Sequence, residues 1–435
     1  MKIVNLRLIL LCAAFVAAVS VFAAHPREEI SVDKKLSAAN FMAYPEPEGV
    51  RLTKAPKGYK PFHISTYARH GSRFHTGAWV YTDAMRPLLK ADSAGVLSET
   101  GKEALARIKR IEEMSHGRIG ELTAEGARQH RGIALRMYRN FPEVFAGDAR
   151  VDARSTNVIR CIMSMTSQTN ALQGENPRLR ISNDASQHDM YYMNNWQNDH
   201  KYDRDIYGSV IDSLIGDHKR RHLDPQRLMD ELFTDAAWVE NNIPDARRLM
   251  WDLFYVTVNM QSHDDMSLDL YWLFTPEECY ELWTCNNVEW YLKAGNTPLT
   301  GYDMQYKQAN LLTNILDMAD KSVADRERGA TMRFGHESCV IPTVVLMELG
   351  DYAYESSDLE SLSDHWVDYR IFPMACNIQL IFYAKPGSDD VLVRALLNEH
   401  EVTMPVDSDC APFYHWSDVS RYYRAKLASR AAKSE

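Results

Sequence analysis

Phe62-His63-Ile64-Ser65-Thr66-Tyr67-Ala68, followed at once by Arg69-His70-Gly71-Ser72-Arg73, is the stretch on which the fold reading turns. An apolar extended run ends in a short polar turn, and a helical pattern comes later. The same order recurs twice. Arg150-Val151-Asp152-Ala153-Arg154-Ser155-Thr156 leads to Asn157 and a helix-like stretch through Gln173. Thr331-Met332-Arg333-Phe334-Gly335 leads to His336-Glu337-Ser338 and a helix-like run to Leu349. Strands alternating with helices predict an α/β fold, with a mainly parallel sheet flanked by helices. In such folds ligands bind beyond the carboxyl ends of the strands, so the three turns should meet at one edge.

Between the second and third junctions the character changes. Residues 186–325 are rich in Trp, Tyr, Met, Asp and Asn, with helical patterning such as Ala246 to Phe254. They read as a mainly helical insertion that forms a substrate-pocket lid. It divides the α/β core into a first part, residues 25–185, and a second, residues 326–435. Ile378 to Tyr383 reads as a buried strand in the second part.

The chain has 435 residues, 45% of them hydrophobic and 25% charged, with a formal net charge of −10. That balance excludes a disordered or fibrous chain. It also argues against general binding to nucleic acid or to an anionic membrane, so basic function must sit in a local pocket. Residues 1–24 carry Lys2 and Arg7, an apolar run from Leu8 to Phe22, and the small residues Ala23 and Ala24. This is the pattern of a signal peptide cleaved near Ala24. The run is short for a span of about 20 residues, and no second such run follows, so no stable membrane insertion is expected. The expected destination is the periplasm or the medium. Six cysteines remain after the leader: Cys161, Cys279, Cys285, Cys339, Cys376 and Cys410. An exported chain permits disulfides, with Cys279–Cys285 and Cys376–Cys410 as candidate pairs, and free buried thiols as the alternative.

The chemistry lies in the turns. Arg69 and Arg73 place two guanidiniums around His70, each a planar fork matched to phosphate oxygens. Cations disfavour a protonated imidazole, so His70 could serve as a neutral nucleophile. Gly71 permits a tight turn or a close backbone approach. The second junction adds Arg160, and the third adds His336 followed by Glu337. A helix start there favours a bound anion.

These blocks resemble the histidine phosphatase superfamily in its acid phosphatase and phytase branch. The likeness rests on R-H-G-S-R at 69–73, R-S-T-N-V-I-R at 154–160 and G-H-E at 335–337, with Leu122, Thr123, Gly126, Gln129 and His130 as a further block. Phe334-Gly335-His336 with Pro342, and Leu397-Asn398-Glu399 with Pro405, are most similar to bacterial multiple inositol polyphosphate phosphatases. The resemblance implies that His70 attacks phosphorus and forms a phosphohistidine. Arg69, Arg73, Arg160 and His336 would hold the phosphate oxygens, and Glu337 would protonate the leaving oxygen and later help activate water. Bound phosphate would favour the protonated form of Glu337. No metal or other cofactor is required. Two positions depart from the family pattern. A Glu directly follows His336, where the acid phosphatases carry Asp and the inositol polyphosphate group carries Ala-Glu. Phe74-His75-Thr76 stands where a proline often follows the first motif.

Arg154 is a further candidate for substrate contact. His218 to His222 reads as a solvated helix face or as a lure for polyphosphate, and Arg136 and Arg139 read as helix surface. His63 and His130 lie near the motifs as supporting or core residues. His263-Asp264-Asp265 lacks a partner set for a metal. The expected partner is a small phosphomonoester, with inositol phosphates such as phytate preferred. The alternatives are a broad acid phosphatase acting on sugar phosphates, or an inactive phosphate-binding protein. A mutase fits poorly with an exported chain.

Overall fold

The structure, a computed structural model, describes residues 24–47, 49–194, 204–264 and 266–434. The apolar leader up to Ala23 and residue Asp265 lie outside the described residues. A short helix α1 (Pro26–Val32) precedes strand β1 (Lys60–Arg69), helices α2 (Trp79–Ser93), α3 (Glu99–Ser115) and α4 (Ala124–Asn140), strand β2 (Arg150–Ser155), helix α5 (Ile159–Glu175) and strand β3 (Arg180–Asp184). The helical stretch comprises α6 (Met190–Met193), α7 (Arg204–His222), α8 (Gln226–Leu232), α9 (Ala236–Asn242), α10 (Ala246–Val258), α11 (Pro276–Ala294) and α12 (Ala309–Asp325). The chain then returns to β4 (Gly329–Gly335), α13 (Glu337–Leu346), β5 (Asn377–Ala384), β6 (Val391–Leu397), β7 (His400–Val402), β8 (Tyr414–His415) and α14 (Trp416–Ser434).

The sheet order is β3-β2-β4-β1-β5-β6-β7, with β8 paired to β6. The first four strands are mutually parallel, and β5, β6, β7 and β8 pair antiparallel. The parallel half is the α/β core expected from alternating strands and helices. The antiparallel half comes from the C-terminal strands, which follow one another with short links and need no helical crossover. Strand β4 is buried along its whole length, as a central strand covered on both faces should be. Its register aligns Gly335 with Arg69 of β1 and Phe334 with Ser155 of β2. Three carboxyl ends therefore finish level, and their turns share one edge.

Helix α4 is capped by Thr123, whose hydroxyl accepts the amide of Gly126. Its Ile133, Ala134 and Met137 follow helical spacing and pack under the sheet with Val151, Phe334 and Ile381. Helices α8 and α10 bury Leu228 and Leu253 in one cluster with Leu88 of α2 and Leu105 of α3. Helix α12 instead packs Leu312 and Ile315 in a cluster with Tyr67 and Ile378 of the sheet. None of the six cysteines after the leader is in a disulfide, and five are buried. Cys279 and Cys285 lie on one helix, about 9 Å apart along its axis, too far to bridge. No described helix is long and apolar enough to cross a membrane.

One contact fixes the loop after β1. A Cβ on Gly71 would lie 2.4 Å from the carbonyl oxygen of Gly126, and a Cβ on Gly126 would lie 2.3 Å from that of Ser72. Two backbones thus touch with no room for a side chain. Gly71→Ala should lower stability by about 1–3 kcal/mol, as overpacking does, read as the denaturant midpoint at constant m. A midpoint equal to that of the unaltered protein would mean that the loop can move aside.

Candidate active site

Backbone bonds hold the turn after β1 from two neighbouring segments. The amide of Arg69 donates to the carbonyl of Cys376 (2.8 Å), that of His70 to Gly335 (2.9 Å), and that of Ala375 to His70 (3.0 Å). Side chains from α4 and α5 complete the hold. Gln129 accepts from the Ser72 amide and donates to the Ser72 hydroxyl, both at 2.9 Å. His130 bridges the Arg69 carbonyl and the Gln168 amide, each at 3.0 Å. The Ser164 hydroxyl accepts from the Gly71 amide (3.1 Å) and donates to the carbonyl of Arg160 (2.8 Å). The turn is thereby preorganised by the groups packed around it.

His70 is buried, and its Nδ1 lies 2.9 Å from the carbonyl oxygen of Gly71. That oxygen can only accept, so the proton sits on Nδ1 and Nε2 carries the lone pair. Burial, then Arg160, Arg69, Arg73 and His336, hold its pKa well below the ordinary imidazole value. The ring is neutral, and Nε2 is its nucleophilic atom.

Three guanidiniums surround it. Arg69 is fully buried and donates from Nη1 to the carbonyls of Asn40 and Phe372. Among the described residues its Nη2 has no partner, and its Nε makes a 3.0 Å ion pair with Glu337 that is not aligned as a hydrogen bond. Arg73 donates from Nη1 to the carbonyl of Phe74 (3.0 Å), while its buried Nε has no partner among the described residues. The Nε of Arg160 is likewise buried and unpartnered. Burial pushes Arg73 down to about 10, so it stays charged at neutral pH. Buried N–H groups on charged side chains are costly to leave unpaired, and an anion would satisfy them. Helices α5 and α13 add first-turn amides, since neither has a side-chain cap.

His336 sits at the N-cap of α13, with its ring centroid 5.6 Å from that of His70. Its Nε2 lies 3.4 Å from the Thr156 hydroxyl and 3.8 Å from the Cys161 sulfur. Burial, reinforced by Arg160, Arg69 and Arg73 against the pull of Glu337, brings it down to about 4. Glu337 Oε2 is 3.7 Å from His70 Nε2. Burial raises its carboxyl, but Arg69, Arg73 and His336 more than offset this, leaving it at about 2. Glu337 is therefore ionised here, whereas the expected proton donor must hold a proton. Two guanidiniums outweigh desolvation when the carboxylate is the sole anion among them.

The structure brings Arg69, His70, Arg73, Arg160, His336 and Glu337 together. It places Arg154 elsewhere, on ion pairs with Asp189 (2.8 Å) and Asp152 (3.3 Å). The neighbouring residues Val151 and Ala153 face the buried cluster beneath β2, so strand alternation turns Arg154 the other way. Arg136 also departs from a plain helix surface, for its guanidinium binds the buried Glu399 at 2.8 Å. His63 is held at the far end of β1 by Thr331 and the carbonyl of Glu327. Thr156, Cys161, Ser164 and Gln168 were not singled out as site residues in the sequence. For Ser164 and Gln168, four and eight residues after Arg160, helical spacing was the available signal. Tyr255 of α10 reaches the same region, where its carbonyl oxygen accepts from His75 (2.9 Å) and its ring packs on Phe41.

Residues 63–398 match the model of the histidine phosphatase superfamily (branch 2). No curated protein sequence matches significantly. Among solved structures, the multiple inositol polyphosphate phosphatase of Bifidobacterium longum in complex with inositol hexasulfate superposes with a TM-score of 0.75 at 18% identity, covering 90% of this chain and 98% of that one. The phytase of D. castellii gives 0.66 at 15% identity, covering 91% and 85%. Hafnia alvei phytase in complex with myo-inositol hexakis sulphate gives 0.53 at 12% identity, covering 86% and 98%. The likeness to these structures is one of fold, and the match along the sequence joins it to the arginine-framed histidine of the site: this chain belongs to the histidine phosphatase superfamily, branch 2.

Proposed function

We propose that the protein is an exported, metal-independent phosphomonoesterase that hydrolyses inositol polyphosphates such as phytate through a phosphohistidine. The carrying observation is electrostatic. Three guanidiniums face one carboxylate around a neutral imidazole whose Nε2 carries the lone pair. The surplus of two positive charges complements a phosphomonoester dianion.

In this reading Arg69, Arg73, Arg160 and His336 hold the phosphoryl oxygens, and His70 Nε2 attacks phosphorus. The bond to the leaving oxygen breaks as that oxygen takes a proton from Glu337. Positive charge grows on the imidazole, and the Nδ1–H bond to the Gly71 carbonyl strengthens to meet it. Water then attacks the phosphohistidine, giving its proton to Glu337, and phosphate leaves with His70 restored. Glu337 acquires its proton because a dianion neutralises the guanidiniums that otherwise hold it ionised. Inositol polyphosphates are favoured because the fold is shared with a phosphatase crystallised with inositol hexasulfate. The helical layer that carries Tyr255 would frame the substrate. Export rests on the leader at residues 1–24.

Phosphate release by residues 25–435, with a chelator present, should show a higher kcat/KM for phytate than for nitrophenyl phosphate. His70→Ala should lose at least about a thousandfold. A preference for nitrophenyl phosphate would place the protein among broad acid phosphatases, and no release from either in a folded sample would mark a binding protein. Glu337→Gln should lower kcat on an alkyl phosphate by about 10²–10⁴ with little change in KM. Near-normal turnover would remove Glu337 from the acid role. Because protonated His70 is disfavoured, the nucleophile stays active as pH falls. An ordinary imidazole near 6.5 would lose about 30-fold of its neutral form by pH 5. kcat/KM at pH 5 should therefore stay within about threefold of its value at pH 7, and a 30-fold fall would contradict the neutral site.

A further inference from the structure

Outside the phosphate site, one cluster among the described residues combines metal-ligating side chains from two separated segments. His218 and His222 lie four residues apart on α7, so both project from one face. Their rings stack with centroids 4.0 Å apart. Glu360 approaches from the loop before Trp366, with Oε2 2.8 Å from His222 Nε2 and Oε1 3.7 Å from His218 Nδ1. One ligand atom from each of the three can be chosen so that all lie within 4.8 Å of one another. A cavity of about 70 Å³ opens beside them.

We propose that His218, His222 and Glu360 form a binding site for a divalent transition metal ion of the zinc type. Two imidazoles and a carboxylate are a donor set suited to zinc, with a fourth position left for water. Two further observations point to a ligand. His218 is 2% exposed, yet among the described residues its Nδ1 has no hydrogen-bond partner, and it faces Glu360. Its other nitrogen, Nε2, lies 3.3 Å from the Thr284 hydroxyl, which can take the ring proton and leave Nδ1 as the lone pair. His222 is oriented in the way metal-bound histidines usually are. Its Nδ1 lies 2.7 Å from a carboxylate oxygen of Glu281, which directs Nε2 at Glu360. Arg221 also pairs with Glu360, but its side chain is half exposed and can move into solvent.

The site would be structural. It shares no residue with the group around His70, and it joins α7 to the loop that leads into Asp368. There Asn287 and Trp283 of α11 hold the chain on its way to Phe372 and Cys376, whose carbonyls receive Arg69.

The test uses untagged mature protein, stripped of metal with a chelator and titrated with Co²⁺ and Zn²⁺. The expected result is one equivalent bound, with the visible spectrum of low-coordinate cobalt, and a Zn²⁺-induced rise in Tm of about 3 °C at a hundredfold excess over Kd. His222→Gln and Glu360→Gln, at partly exposed positions, should each weaken binding at least tenfold. Glu281→Gln should weaken it about 10–100-fold. His336→Ala should leave it unchanged. No binding tighter than about 100 μM by the unaltered protein would overturn the proposal and leave an ion-pair bridge. Binding lost in His336→Ala but kept in His222→Gln would overturn it too, by moving the ion to the phosphate site.

Discussion

Everything in the site follows from placing three guanidiniums around one uncharged imidazole away from bulk water. Such an arrangement repels itself, and each charge costs free energy to bury. It persists because the backbone beneath it is overdetermined. The amide or carbonyl of each of residues 69–72 has a partner on another strand, on α4 or on α5. Glu337 supplies the compensating negative charge, 3.7 Å from His70 Nε2.

The antiparallel half of the sheet has a direct part in this. Because β5 runs against β1, it begins where β1 ends, with Asn377 opposite Ala68. The lead-in to β5 therefore passes beneath the turn and delivers the carbonyls of Phe372 and Cys376 to Arg69. That lead-in is latched from the β6–β7 turn. Asn398 donates to the carbonyl of Ile371 and accepts from the Asn377 amide, both at 3.0 Å. Glu399 beside it is held by Tyr44 (2.9 Å) and Arg136. Asn398 and Glu399 both have positive φ, strain that the latch offsets.

The α/β core was legible because its signals are local. An apolar run such as Phe62–Ala68 and a turn such as Arg69–Arg73 declare themselves without reference to anything distant. The six residues gathered at the edge followed from that reading together with the family resemblance. What stayed hidden depends on partners far along the chain. Arg136 meets a residue 263 positions away, and no periodicity in α4 could announce Glu399. Likewise α8 and α10 bury their apolar faces against α2 and α3, which the sequence assigned to a different part of the molecule. The ionised state of Glu337 was hidden for a related reason. It is a sum over Arg69, Arg73 and His336, and its sign depends on distances that a sequence does not contain.

The permanence of the cations has a cost for turnover. Guanidiniums do not titrate in the working range, as Arg73 at about 10 illustrates, so the site cannot relax its grip by losing a proton. Inorganic phosphate carries the same oxygens and nearly the same charge as the group that was attacked. In a phosphatase built this way, product leaves against the full field that drew the substrate in. Departure of phosphate, rather than chemistry at phosphorus, then becomes the natural ceiling on rate, and added phosphate a competitive inhibitor.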